Sequence, residues 1–123
     1  MLVRSHATRV SATLRQEING VRRVMVARRD GLAFHDDVDR EQSTAAEEAA
    51  AAVAAALLGI AEHVSRASEH GELQSTIVRS DQGCLIVYGA GEEYVLGIYT
   101  DPTVNLNLLD RVARRVVGEI QAA

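Results

Sequence analysis

Residues 45–56, AAEEAAAAVAAA, run without a break into Leu57, Leu58, Gly59 and Ile60, and the reading of this stretch decides the fold. Nine of its twelve residues are alanine. Alanine is the strongest helix former, so the segment reads as a helix, but methyl groups cannot fill a wide core gap and instead let another backbone come close. At 3.6 residues per turn the helix divides into two neighbouring stripes. Ala46, Ala50, Val53, Leu57, Ile60 and Val64 form the bulkier one, expected to lie on the protein's own sheet. Ala45, Ala49, Ala52, Ala56, Gly59 and His63 form the smaller one, expected to meet a partner helix at the short end of the usual interaxial range of about 8–10 Å. Glu48, Glu62 and Arg66 take the remaining side. An alternative is that a GC-rich coding sequence drifts toward alanine on any exposed helix, and it has support, because all thirteen basic residues are arginine.

Thr44 and Glu47 have the capping-box spacing that starts this helix, and Glu69, His70 and Gly71 supply its stop after about Ser68. Upstream, Val3, Ala7, Val10, Leu14 and Ile18 recur at intervals of four and three, which predicts an amphipathic helix ending near Asn19 and Gly20. Residues 21–29 are strand-like and meet Asp30-Gly31, a two-residue hairpin signal, after which residues 32–36 return. Downstream, three apolar runs at residues 73–80, 84–88 and 94–100 are separated by short turn signals, Asp81-Gln82-Gly83 and Gly89-Ala90-Gly91-Glu92, and so predict an antiparallel meander. Asp101 and Pro102 read as the N-cap and first residue of a last helix carrying Leu109, Val112, Val116 and Ile120 on one face. The order is α-β-β-α-β-β-β-α. Leu85 and Val87 alternate with Cys84, Ile86 and Tyr88, so both faces of the sheet need covering by helices.

A length of 123 residues with 47% hydrophobic content fits one α+β domain over residues 1–123. The net charge of -4, with arginine interspersed among acids, argues against nucleic acid as a partner. Outside the alanine segment no apolar run approaches the length of a membrane span, and the alanine segment itself reads as too weakly hydrophobic, so no membrane partner is expected and the location is expected to be cytoplasmic. Cys84 is the only cysteine, which excludes an internal disulfide, and its apolar neighbours predict a buried, unreactive thiol.

His35, Asp36, Asp37 and Asp39 are the one close cluster of ligand-type side chains, and they read as a solvated acidic loop more readily than as a divalent-cation site. His6, His63 and His70 lack any zinc-ligand pattern, while the Gly89, Gly91 pair has neither the following Lys-Ser or Lys-Thr nor the helix of a phosphate loop. No catalytic residues, no metal and no cofactor are expected.

The segments VMVARRDGLAF (residues 24–34), CLIVYGAGEEYVLGIYT (residues 84–100) and VNLNLLDR (residues 104–111), in this order of elements, resemble the roadblock family of dynein light chains and bacterial GTPase regulators. The resemblance covers nearly the whole chain. It implies a five-stranded antiparallel sheet in the order 2-1-5-4-3, a roadblock/profilin-like arrangement with the middle helix on one face and the terminal helices on the other. It also implies a homodimer, joined through the middle helix and the third strand at the sheet edge. That edge, carrying Gln74, Thr76 and Val78 on one face, has no proline, lysine or bulge signal to block pairing. The expected dimer interface is therefore Ala45, Ala49, Ala52, Ala56, Gly59, His63, Gln74, Thr76 and Val78.

By the same resemblance the partner beyond a second copy is a small Ras-like GTPase whose nucleotide cycle is modulated, with Glu47, Glu48 and Glu62 offering charge to it. Arg28, Arg29 and Arg40 are the local candidates for an arginine supplied in trans, and solvated surface positions suit them better. Two alternatives stay open: a passive dimerisation scaffold in a multiprotein complex, and a small-molecule sensor, the latter disfavoured by only four aromatic residues, Phe34, Tyr88, Tyr94 and Tyr99.

Overall fold

The computed structural model describes residues 2, 4–37 and 44–122, with Thr44 described in its backbone only. Its elements are α1 (Arg4–Glu17), β1 (Val21–Arg28), β2 (Ala33–Asp36), α2 (Thr44–Ala67), β3 (Thr76–Ser80), β4 (Gly83–Ala90), β5 (Tyr94–Thr100) and α3 (Leu106–Ala122). The five strands form one antiparallel sheet in the order β2-β1-β5-β4-β3. The strand order and the α-β-β-α-β-β-β-α sequence match expectation.

Strand alternation sorts the sheet's side chains onto two cores. Val24, Val26, Ile86, Tyr88, Leu96 and Ile98 point to the face covered by α1 and α3, where they meet Val10, Leu14, Leu109, Val116 and Ile120. Met25, Ala27, Val87 and Val95 point the other way and meet Ala51, Ala54 and Leu58 of α2. The register fixes this division: Met25 pairs with Gly97, Gly97 with Val87, and Val87 with Thr76, so one face is continuous from β1 to the β3 edge.

The helix ends follow local chemistry. α2 stops as Glu69 takes the left-handed conformation at φ 59° and the His70 N–H donates to the Ser65 carbonyl at 2.9 Å, a closure that glycine more often provides. α3 starts later than expected. Asp101 Oδ1 accepts from the Thr103 N–H at 3.0 Å and shapes a turn, whereas Asn105 Oδ1 accepts from the Leu108 N–H at 3.1 Å and is the true cap. β3 likewise begins at Thr76, not at Leu73, which packs into the core under α2. The proposed Thr44–Glu47 cap lies outside the described side chains.

The acidic cluster is not a solvated loop. Asp36 is paired with Arg23 and nearly buried, Asp37 accepts from Arg15 Nε at 2.6 Å and from the Val24 N–H at 2.7 Å, and His35 Nε2 lies 3.0 Å from Ser11 Oγ. These residues lie on β2 or directly after it, where β1 and α1 present arginines and a hydroxyl. Asp39 and Arg40 fall outside the described residues. Cys84 is buried, as its neighbours imply.

Candidate interaction surface

The face that α2 buries is not the bulky stripe. Ala51, Ala54 and Leu58 are its buried residues, while Val53, Ile60 and Val64 stand 57%, 65% and 56% exposed. This corrects the expectation that Ala46, Val53, Ile60 and Val64 lie on the sheet; Ala46 is exposed as well, and only Ala50 and Leu57 of that stripe are half-buried. The cause is the tightness of the helix–sheet contact. Over Met25, Ala27, Val87 and Val95 the sheet already supplies side-chain bulk, so the helix meets it with methyl groups and one leucine.

The small stripe is also open: Ala45, Ala49, Ala52, Ala56, Gly59 and His63 are all exposed, and among the described residues nothing lies within 4 Å of where a β-carbon on Gly59 would sit. Its position, however, is set by one contact. Ala52 stands against the β1–β2 turn at Gly31, so by helical phase the flank nearer β3 carries Val53, Leu57 and Val64. Leu57 and Leu73, the latter in the segment leading to β3, pack against the same buried cluster.

Beside that flank is the sheet edge. Val78 faces the α2 side, opposite Leu85, and Ile77 the α1 and α3 side, opposite Ile86. They are 42% and 46% exposed. Thr76 is half-buried on the α2 side and its Oγ1 has no hydrogen-bond partner among the described residues. Gln74 precedes the strand and accepts from Arg114 of α3, on the opposite side of the sheet from α2, so it does not share a face with Thr76 and Val78 as expected.

The three acids expected to serve a partner are unequal. Glu48 is exposed, Glu47 is half-buried with its charge acting on Arg23, and Glu62 is engaged inside the protein. Arg29 Nη1 donates to Glu62 Oε1 at 2.7 Å, and its Nε and Nη2 donate to the Gly91 carbonyl at 3.1 and 2.8 Å. Arg29 is therefore not the solvated residue that sequence suggests, and its guanidinium is occupied. Arg28 is exposed, 3.6 Å from Asp30.

At the other end of the same sheet face Arg23 stacks on Tyr99, 5.1 Å from the ring centroid, while bonding Asp36. The hydrogen bond to Asp36 raises the Arg23 pKa, and burial raises that of Tyr99. A shallow depression of about 530 Å³ follows, floored by Tyr99, Leu85 and Val78. A second, polar depression of about 460 Å³ lies between Glu62, Arg66, Glu72 and Glu92. Neither encloses a reactive group, and among the described residues no group of three or more His, Cys, Asp or Glu could hold a metal.

Residues Ala45–Ala67 are long and apolar enough to cross a bilayer by length and composition alone, but only as a weakly apolar helix, in keeping with the expectation from their hydropathy. In the fold the helix lies along the sheet with Glu62 ion-paired to Arg29. What the sequence reading missed was the phase of the buried face. Leu58, with Ala51 and Ala54 at seven and four residues before it, is the only large fully buried side chain among the described residues of α2, too faint a signal beside Val53, Ile60 and Val64.

Comparison with known proteins agrees with this geometry. The Uncharacterized protein MJ0714 of Methanocaldococcus jannaschii is 30% identical over 104 residues, covering 85% of each chain. Among solved structures, the gliding protein MglB of Thermus thermophilus superposes with a TM-score of 0.80 at 16% identity over 96% of this chain and 87% of that one. A Roadblock/LC7 domain from Streptomyces avermitilis gives a TM-score of 0.79 at 18% identity over 90% and 91%. The Roadblock/LC7 domain family model matches residues 12–100, spanning α1's second half through all five strands, and the chain belongs to that family.

Proposed function

We propose that the protein is a non-catalytic homodimeric regulator that binds a small Ras-like GTPase and modulates its nucleotide cycle. The observation carrying this reading is the exposed apolar stripe Val53, Ile60 and Val64 beside the open edge strand β3. Burying apolar surface is the main source of association energy, about 25 cal/mol per Å², and these side chains have no cover among the described residues. A second copy covers them by symmetry. An isologous pairing places the same patch on both subunits, and two antiparallel β3 strands would continue the sheet across the two-fold axis. The seam is then centred on Val53, Ile60, Val64 and Val78, with Ala49 and Ala56 as the small flanking residues that permit close approach.

GTPase binding is inferred from family membership and from a paired helix surface to which Glu48 contributes exposed charge. Its test is a titration of the purified protein against a GTP-loaded Ras-like GTPase from the same genome, following GTP hydrolysis and nucleotide release. A saturable change in either rate is expected. Binding with both rates unchanged would select the scaffold reading, and no binding to any such GTPase would end the regulatory one.

A further inference from the structure

Beyond Leu58, α2 has no buried residue through to its end at Ala67, yet this half carries Ile60 and Val64. Packing therefore does not explain what holds it at a fixed height and angle on the sheet. The polar contacts do. Glu62 lies about 200° around the helix from Ile60, on the side turned inward, and there it meets Arg29.

Arg29 joins three elements. Its backbone N–H donates to the Glu93 carbonyl at 2.9 Å, its Nε and Nη2 donate to the Gly91 carbonyl in the β4–β5 turn, and its Nη1 reaches Glu62 on α2. The guanidinium crosses β4 over Gly89. A β-carbon there would sit 2.6 Å from Arg29 Nη2, whereas its next neighbour, Leu58 Cδ2, is at an ordinary 3.6 Å. Gly89 is thus the gap through which the arginine passes, and any side chain at that position would push the guanidinium aside without touching backbone.

We infer that Arg29, admitted by Gly89 and tied to Glu62, is a positioning residue that sets the C-terminal half of α2 for self-association, although it contributes nothing to the seam itself. This rests on the dimer reading above. The physical reason is that a charge-assisted anchor, made to a carboxylate and a carbonyl where solvent is partly excluded, is directional, unlike the methyl contacts at Ala51 and Ala54. Losing it leaves Ile60 and Val64 attached to a segment free to tilt, and part of the association energy is then consumed in ordering that segment in each subunit.

The test compares Arg29→Ala, Gly89→Ala and Glu62→Gln with the unmodified protein by sedimentation equilibrium, with circular dichroism and thermal unfolding recorded in parallel. All three are expected to weaken the dimer, Arg29→Ala by about tenfold, the scale of one charge-assisted hydrogen bond. Gly89→Ala is expected to act in the same direction, because the strand backbone accommodates alanine while the arginine must move. The double variant Arg29→Ala/Gly89→Ala should be no weaker than Arg29→Ala alone, a non-additivity that independent structural damage would not produce. If Arg29→Ala fails to fold, Gly89→Ala with Glu62→Gln decides the matter. A dimer constant unchanged by these substitutions overturns the inference and leaves the dimer intact. An unmodified protein that stays monomeric overturns both.

Discussion

The α-carbon of Ala52 lies 3.6 Å from the point that a β-carbon on Gly31 would occupy. Gly31 has φ +91°, and its N–H donates to the Arg28 carbonyl at 2.9 Å, closing the β1–β2 turn against the flank of α2. The pair marks where the helix passes the turn: the spacing is ordinary van der Waals range, and Ala52 itself stays exposed. The pair also orients the helix, sending Val53 and Val64 toward β3.

Gly31→Ala is expected to destabilise the protein by about 1–2 kcal/mol, the cost of a left-handed non-glycine residue, with the dimer seam unaffected because the strain is confined to the turn. Chemical denaturation measured at one protein concentration would check it. A loss under about 0.3 kcal/mol would mean that the turn relaxes into another form.

Leu58→Ala should cost about 2–5 kcal/mol, since among the described residues Leu58 is the one large fully buried side chain that α2 sets against Met25, Val87 and Val95. Ile60→Ala, in the same helix two residues on, should change the stability of the isolated protomer by under about 0.5 kcal/mol. Thermal or urea unfolding of both variants, at a concentration low enough to leave the chain monomeric, tests the observed phase of the helix; the reverse ranking would restore the phase that periodicity suggests.

Tyr88→Phe removes the hydroxyl that donates to Asp110 Oδ1 at 2.9 Å, while Asp110 keeps its pairing with Arg114 at 2.9 Å. The expected loss is about 0.5–1.5 kcal/mol, because the aromatic ring continues to fill the core and only one hydrogen bond goes. In the folded protein burial, followed by the bond to Asp110, pushes the Tyr88 phenol well above its ordinary pKa of 10.0, so ultraviolet titration should show one tyrosine ionising only well above that value, and Tyr88→Phe should remove that step.

His35 introduces a pH dependence whose direction is fixed. Burial lowers its pKa below 6.5, outweighing the opposing pull of Asp37 and Asp36. The folded state then binds fewer protons than the unfolded one, so the stabilising difference is complete above about pH 6.5 and is lost as pH falls from there through the folded pKa. The protein should melt at a lower temperature at pH 5 than at pH 7.5, and His35→Gln should flatten that difference. An equal difference in both proteins would assign it to the carboxylates.

Much of this fold is legible in the sequence because its signals are local. Asp30-Gly31 and Asp81-Gln82 mark turns, and the Leu109, Val112, Val116 and Ile120 spacing gives the buried face of α3 without ambiguity. What was illegible depends on contacts between distant segments. The buried face of α2 is chosen by how much bulk Met25 and Val87 already provide, and Asp36, Asp37 and Arg29 look like surface charges until the arginine or carboxylate thirteen, twenty-two or thirty-three positions away is placed beside them. Asn105 displaced Asp101 as the cap of α3 for a similar reason: both residues suit the role, and the turn that follows β5 decides between them.

Covering of the stripe Val53, Ile60 and Val64 by a second copy of this chain makes self-association depend on Ile60. Light scattering coupled to gel filtration, run on the protein and on Ile60→Glu at equal micromolar loading, tests it most directly. Twice the 13.3 kDa chain mass is expected for the protein and a single chain mass for Ile60→Glu, with unchanged helical circular dichroism. A 13.3 kDa species for the unmodified protein, or a dimer that survives Ile60→Glu intact, would contradict it.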